Sequence, residues 1–330
     1  MGLLDNVVRA LRGGRSFDLC LGDEGIRGAY RQLQAGEWNG VDEFLNSRPD
    51  GWLVADILTG DRSKISTSVL ERWAQSTRSC WSLTMLGAAQ TRDAWAIRGR
   101  AYASDVNQNA WQGFIDGLEQ AESTLQLAAR LHPASAEPWA AMLTTARGLQ
   151  MGPRELHRRF DEAHKRFAFH PAACDAMLQG LCAKWSGSHE QMFGFARWVY
   201  DEAPASSPAQ AVLPMAYIER DLANLNEGRH LYSTQTEAFD YVCQAADRYL
   251  AAVPKEVHPV HLGPLGAFVW LLWPVDGRSA RLLKECVTRI ADRPTTKPWI
   301  YYSDDIDAVY KKVSGQHLTL AARYETQLEL

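Results

Sequence analysis

Leu131-His132-Pro133-Ala134, Phe169-His170-Pro171-Ala172 and Glu202-Ala203-Pro204-Ala205 are three breaks of one kind in the stretch from Ala121 to Pro208. Each ends an apolar helical face with a proline among small residues. Each is followed by a new apolar helical pattern: Trp139, Ala140, Met142 and Leu143; then Ala173, Ala176, Met177 and Leu178; then Ala209, Val212, Leu213 and Met215. The prolines at 133, 171 and 204 lie 38 and 33 residues apart, the period range of two-helix solenoid repeats. The pattern predicts an all-α fold, a right-handed α-solenoid of helical hairpins.

Upstream, Ile26, Ala29, Tyr30 and Leu33 keep a helical spacing up to Gly36, and Trp38, Val41, Phe44 and Leu45 follow before Pro49. The turn Leu33-Gln34-Ala35-Gly36-Glu37-Trp38 resembles the reversal between the two helices of a tetratricopeptide-type repeat. There a glycine permits the tight turn and an aromatic wedges between the helices. The pattern continues from Trp52 to Gly60, and the polar Asp61 to Thr67 reads as a loop. One helical run is predicted from Val69 through Trp81 to Trp95. Small residues around Gly99, Ala101 and Ala103 then allow close helix approach, with Trp95 as the knob. Asn107 and Asn109 offer caps for a long helix ending at Leu131, and Ser135 is expected to cap its partner. Further helices are predicted over 153–167, 172–185, 188–200 and 208–225. Beyond 226 come Tyr241 to Leu250, the very apolar Leu265 to Trp273, Leu282 to Ile290, and a final pair over 304–313 and 318–328. No stretch sustains the two-residue alternation of a strand. The expected organisation is an amphipathic helix in residues 1–20, tetratricopeptide-like repeats over 21–226, and atypical helical repeats over 227–330 continuous with that array.

Composition narrows the function. With 46% hydrophobic and 22% charged residues the chain reads as globular. A net charge of −4 gives no electrostatic basis for a nucleic-acid partner. The six cysteines, Cys20, Cys80, Cys174, Cys182, Cys243 and Cys286, form no C-x-x-C pair and read as reduced, mostly buried thiols. No secretory signal opens the chain, and the most apolar run, Leu265 to Val275, is too short to span a bilayer. A cytoplasmic protein is expected. Leu3, Leu4, Val7, Val8 and Leu11 share one helical face, so residues 3–12 carry the secondary reading of attachment to a membrane surface.

Chemistry-bearing patterns are weak. His157, Asp161 and His164 lie on one helical face, but Glu155–Arg159, Asp161–Lys165 and Glu162–Arg166 surround them as four-residue ion pairs, which reads as a solvated charged face. His170, Cys174 and Cys182 have no second cluster to complete a metal site. Ser303-Asp304-Asp305-Ile306-Asp307, with Lys311 and Lys312 beyond, reads as a capped, dipole-matched helix start and not as a cation loop. There is no phosphate-binding glycine loop and no nucleophile elbow. Neither a catalytic residue, a cofactor nor a metal is expected.

One junction is more specific. Lys184-Trp185-Ser186-Gly187-Ser188-His189-Glu190-Gln191-Met192, with Phe195-Ala196, resembles the K-W-G-G-S-x-E-x-M-x-x-F-A junction of an uncharacterised family of bacterial tetratricopeptide-like proteins. Ser186 departs from that family's first glycine. Ala94-Trp95-x-x-Arg98-Gly99 and Ala146-Arg147-Gly148-Leu149 are similar to two more of its segments. The resemblance implies a helical-repeat fold and no activity. In physical terms Trp185 ends a helix, Gly187 takes a positive φ, and Ser188 caps the next helix with Gln191 placed for a capping box. The expected function is a non-catalytic scaffold or adaptor that binds a protein or peptide in a concave groove, with Trp95, Arg98, Trp139, Trp185 and Arg197 as the groove residues. The alternative is a small-molecule binder or enzyme whose pocket uses His258, His261, Trp270, Trp273, Trp299, Tyr301 and Tyr302 of the C-terminal third.

Overall fold

The computed structural model describes residues 18–99, 107–185, 187–226, 237–301 and 305–328, and every regular element among them is helical. The N-terminal helix expected within 1–20 falls almost wholly outside the described residues, as do Arg100 to Val106, Ser186, Tyr302, Ser303 and Asp304. No helix among the described residues is long and apolar enough to cross a membrane. The chain divides into two compact units, Asp23–Met192 and Phe193–Leu330, the latter together with the described residues 18–22.

The Asp23–Met192 unit holds α1 (Glu24–Gln34), α2 (Val41–Asn46), α3 (Gly51–Thr59), α4 (Thr67–Thr77), α5 (Cys80–Arg98), α6 (Gln108–Leu131), α7 (Glu137–Gly148), α8 (Pro153–Arg166), α9 (Pro171–Gly180) and the start of α10 (His189–Glu202). From α5 to α9 each helix packs on the next, and α5 also packs on α7 and α7 on α9. Small residues bring the long pair together: a Cβ on Gly87 of α5 would stand 2.5 Å from Leu125 Cγ of α6. Side chains start several helices by accepting otherwise orphaned amides. Asp23 accepts from Ile26 N at 3.0 Å, Asn107 from Ala110 N at 2.9 Å and Ser188 from Gln191 N at 3.2 Å.

Four expectations about this unit change. The run from Val69 to Trp95 is two helices, because Arg78 turns left-handed at φ 49° and Ser79 caps a new helix by accepting from Ser82 N. Ser135 stands one residue before the cap position of α7, where it accepts from Glu137 N at 3.2 Å. Helix α9 ends at Gly180, so Trp185 lies in the following turns and does not end a helix. Gly187 is not among the glycines at positive φ; a Cβ there would stand 2.1 Å from the Leu181 carbonyl oxygen, so the need for glycine is steric.

Arg159 also departs from the solvated face expected of α8. It is 3% exposed and makes a forked pair with Glu122 of α6, two contacts of 2.8 Å, while donating to Met142 O of α7 at 2.7 Å and to Glu155 at 2.7 Å. One guanidinium thus ties three helices. Burial pushes the Glu122 carboxyl up, but hydrogen bonds from Arg159 and Thr145 and the Arg159 charge outweigh it and leave it below the usual range.

The second unit holds most of α10, α11 (Val212–Asn226), α12 (Glu237–Ala252), α13 (Leu262–Leu271), α14 (Gly277–Ile290) and α15 (Ile306–Leu328). Helix α13 is its core, with Leu262, Leu265, Ala267, Phe268, Val269 and Leu271 buried against α11 and α14. Asp276 and Ser279 cap α14 reciprocally. The final pair of helices expected from sequence is the single helix α15. Tyr310, Ser314, His317, Leu318 and Ala321 make one buried stripe through the expected break, and Ser314 Oγ bonds back to Tyr310 O.

Candidate functional site

The first of the three proline breaks lines an open groove of about 550 Å³ in the Asp23–Met192 unit. Leu131 to Ser135 and Glu137 form one side, and Asn46, Cys80 and Trp81 form the other. The walls are fixed by local hydrogen bonds: Trp81 Nε1 donates to Asn46 Oδ1 at 2.8 Å, and His132 Nε2 lies 3.0 Å from Arg78 O. Glu137 is backed by the buried His170, whose Nδ1 accepts from Ala173 N at 3.2 Å and whose Nε2 lies 3.1 Å from the carboxylate. An accepting Nδ1 places the ring proton on Nε2, so His170 donates to Glu137. Leu131 is 45% exposed at the rim. Burial pushes the Cys80 thiol up. The groove offers apolar surface and hydrogen-bond acceptors.

Three of the five residues expected to bind a partner are brought together. Trp95 and Trp185 meet edge to face, with ring centres 5.5 Å apart, and Phe114 lies 4.8 Å from Trp95. The Arg98 guanidinium sits 5.5 Å from the Trp95 ring centre; that of Arg147 is 5.4 Å from Trp95 and 5.2 Å from Trp185. These contacts join the segments 94–99, 146–149 and 184–192 at one point. Arg147 was not among the expected site residues, and its signal was the adjacent Gly148, where a Cβ would stand 2.4 Å from Leu118 Cδ1 and 3.3 Å from Trp95. Trp95 also packs on the Ala94, Phe114 and Leu118 core, and the indole N–H groups of Trp95 and Trp185 are buried without a hydrogen-bond acceptor among the described residues.

Trp139 belongs to another cluster, with Leu125, Ala129 and Met142, and its ring lies 5.3 Å from both Arg158 and Arg166. Arg197 is in the second unit, 5.9 Å from the Phe193 ring, where Arg220 stands at 5.3 Å. In the C-terminal third Trp299 is fully buried between Trp270 and Tyr310, with ring centres 5.7 and 5.0 Å away. Trp273 packs on His317, which burial lowers to about 4. Tyr249 and His261 share a 2.8 Å hydrogen bond. Among the described residues no group of three His, Cys, Asp or Glu side chains is placed to hold a metal ion; His164 accepts from Phe169 N at 3.1 Å and stacks on Phe160. Comparison with known protein-family models, curated proteins and solved structures finds no match.

Proposed function

We propose that this chain is a helical-repeat scaffold or adaptor that holds an extended segment of a protein partner in the groove between Asn46, Trp81 and the Leu131–Glu137 break. On this reading α5 to α9 stack as tetratricopeptide-like hairpins in a right-handed solenoid, of the kind that carries the K-W-G-G-S-x-E-x-M junction, in a bacterial cytoplasm. The packing of each helix on the next from α5 to α9, with α5 on α7 and α7 on α9, supports the repeat. The observation that carries the function is the groove itself, opened by the same proline break that separates two helices. Its chemistry defines the partner: an apolar side chain seats on Leu131 and Trp81, and backbone or side-chain donors reach Glu137 and Ser135. The cluster of Trp95, Arg98, Arg147 and Trp185 acts as the structural clasp of the same unit.

Peptides selected from a random display library against the full chain test the reading. Leu131→Glu places a charge where an apolar anchor sits, and Ala134→Trp fills the groove; each is expected to weaken selected peptides by about tenfold or more, the effect of losing one interface anchor. Peptides that bind both variants as they bind the parent chain, or a selection that returns none, would end the groove reading.

A further inference from the structure

Among the described residues three aromatic rings each lie near two guanidinium groups: Trp95 with Arg98 and Arg147, Trp139 with Arg158 and Arg166, and Phe193 with Arg197 and Arg220. The charge balance separates them. At Trp139, Arg158 is paired with Glu155 at 2.6 Å and Arg166 with Glu162 at 2.7 Å. At Trp95, Arg98 donates to the Gly99 carbonyl at 3.2 Å. At Phe193, neither guanidinium makes an ion pair or hydrogen bond among the described residues, and Arg220 Nε is buried without an acceptor there.

Among the described residues the surroundings of Phe193 add hydroxyl donors and no carboxylate paired with either guanidinium. Tyr217 is 5% exposed, its ring centre 5.0 Å from that of Phe193 and 5.2 Å from the Arg220 guanidinium. Burial pushes the Tyr217 hydroxyl up against the pull of Arg220 and Arg197, and burial with the neighbouring Tyr200 and Asp201 pushes the Tyr241 hydroxyl up against the pull of Arg197. Neither hydroxyl makes a hydrogen bond among the described residues. Asp221, next along α11, does not pair with Arg220: burial raises its carboxyl to about 7 against the pull of Arg220, and its Oδ1 has no partner. Asp201 acts on Tyr241, and Arg248 is committed to the Tyr200 ring and carbonyl. Two cations gathered on one ring, with free hydroxyls beside them, repel one another unless an anion sits between their donors. A guanidinium held against an aromatic face presents a fixed fork that matches the oxygens of a phosphoryl group.

We propose that Arg197, Arg220 and the Tyr217 hydroxyl form a binding site for a phosphate group, carried either as a free phosphate or on a phosphorylated peptide. The site is independent of the groove in the Asp23–Met192 unit.

Calorimetric titration of the full chain with inorganic phosphate, and separately with a phosphoserine hexapeptide and its unphosphorylated form, tests it at low ionic strength. Saturable binding at one site is expected. Loss of one charge-assisted contact corresponds to about tenfold or more in affinity, so Arg197→Gln and Arg220→Gln each weaken binding by that factor. Tyr217→Phe keeps the ring packing and weakens it less. Arg197 is exposed, so its variant reads binding without threatening the fold. Arg158→Gln, at the neutralised Trp139 cluster, leaves binding unchanged. Tighter binding of the phosphoserine peptide than of phosphate identifies a peptide source, and equal or weaker binding identifies the free ion. Absence of saturable binding to either probe, or equal loss in Arg158→Gln and Arg197→Gln, overturns the proposal.

Discussion

Glu122 and Asp221 are both carboxyls in protected surroundings, and they end in opposite states. Glu122, in the Asp23–Met192 unit, meets the fork of Arg159 and falls below the usual carboxylate range. Asp221, in the second unit, has a cation next to it in sequence but no hydrogen bond from it, and burial raises it to about 7. Burial acts on both in the same direction. The outcome is decided by whether a guanidinium is aimed at the carboxylate, which is a matter of three-dimensional placement. Where it is aimed, the charge becomes a structural tie. Where it is not, as at Arg220 and Asp221, charge remains available for a ligand or a proton.

The comparison breaks most visibly at Arg159. Arg159→Met strands Glu122 in the interior, and a loss of about 3–5 kcal/mol in chemical denaturation is expected. A loss below about 1 kcal/mol would mean that Glu122 is not held as a charge.

The pH profile distinguishes the two carboxyls next. Asp221 takes up its proton more readily folded than unfolded, so its contribution to stability falls as pH rises from about 4 to about 7 and then levels off. Glu122 does the reverse: its contribution is present above its ordinary range and is lost as pH drops through its lowered folded value. Asp221→Asn should therefore raise Tm relative to the parent more at pH 8 than at pH 5. An equal difference at the two pH values would remove Asp221 from the account.

The smallest effect is expected next door to the largest. Arg158 and Arg159 together hold Glu155 at about 2, yet Arg158 is half exposed and Arg159 is buried. Arg158→Gln should cost under about 1 kcal/mol, the ordinary worth of an exposed pair. A cost matching that of Arg159→Met would show that solvent does not separate the two.

Much of the helical order was legible because apolar spacing is a local property. Ile26 to Leu33, the long run to Leu131 and the stripe Leu156, Phe160, Ala163 all appear as helices where their periodicity lies. Errors fell where a local signal was overridden. Arg78 takes a left-handed turn that its own chemistry does not favour, because Ser79 and the Asp42 carboxylate to which it donates start a new helix there. The Ser314-Gly315-Gln316 segment reads as a break but continues as helix because Tyr310, Ser314 and His317 bury together. Gly187 was identified as necessary for the wrong reason: the constraint is the Leu181 carbonyl, six residues away, and not a dihedral angle. Trp95, Arg98 and Trp185 were readable individually as aromatic and basic residues. Their meeting, with Arg147 between them, was not.

The amino-acid sequence by itself determined that this chain is helical, where most helices run, and that Pro133 and Pro171 stand at breaks between them, since these follow from contacts within a few residues. Only the tertiary structure decided which charges are spent and which are open. Arg159 and Arg220 are both helical arginines beside acidic neighbours. One finds Glu122 thirty-seven residues away, and the other finds two aromatic rings and, among the described residues, no carboxylate paired with it. Side-chain periodicity is written along the chain, but the field at a guanidinium is a sum over everything folded around it.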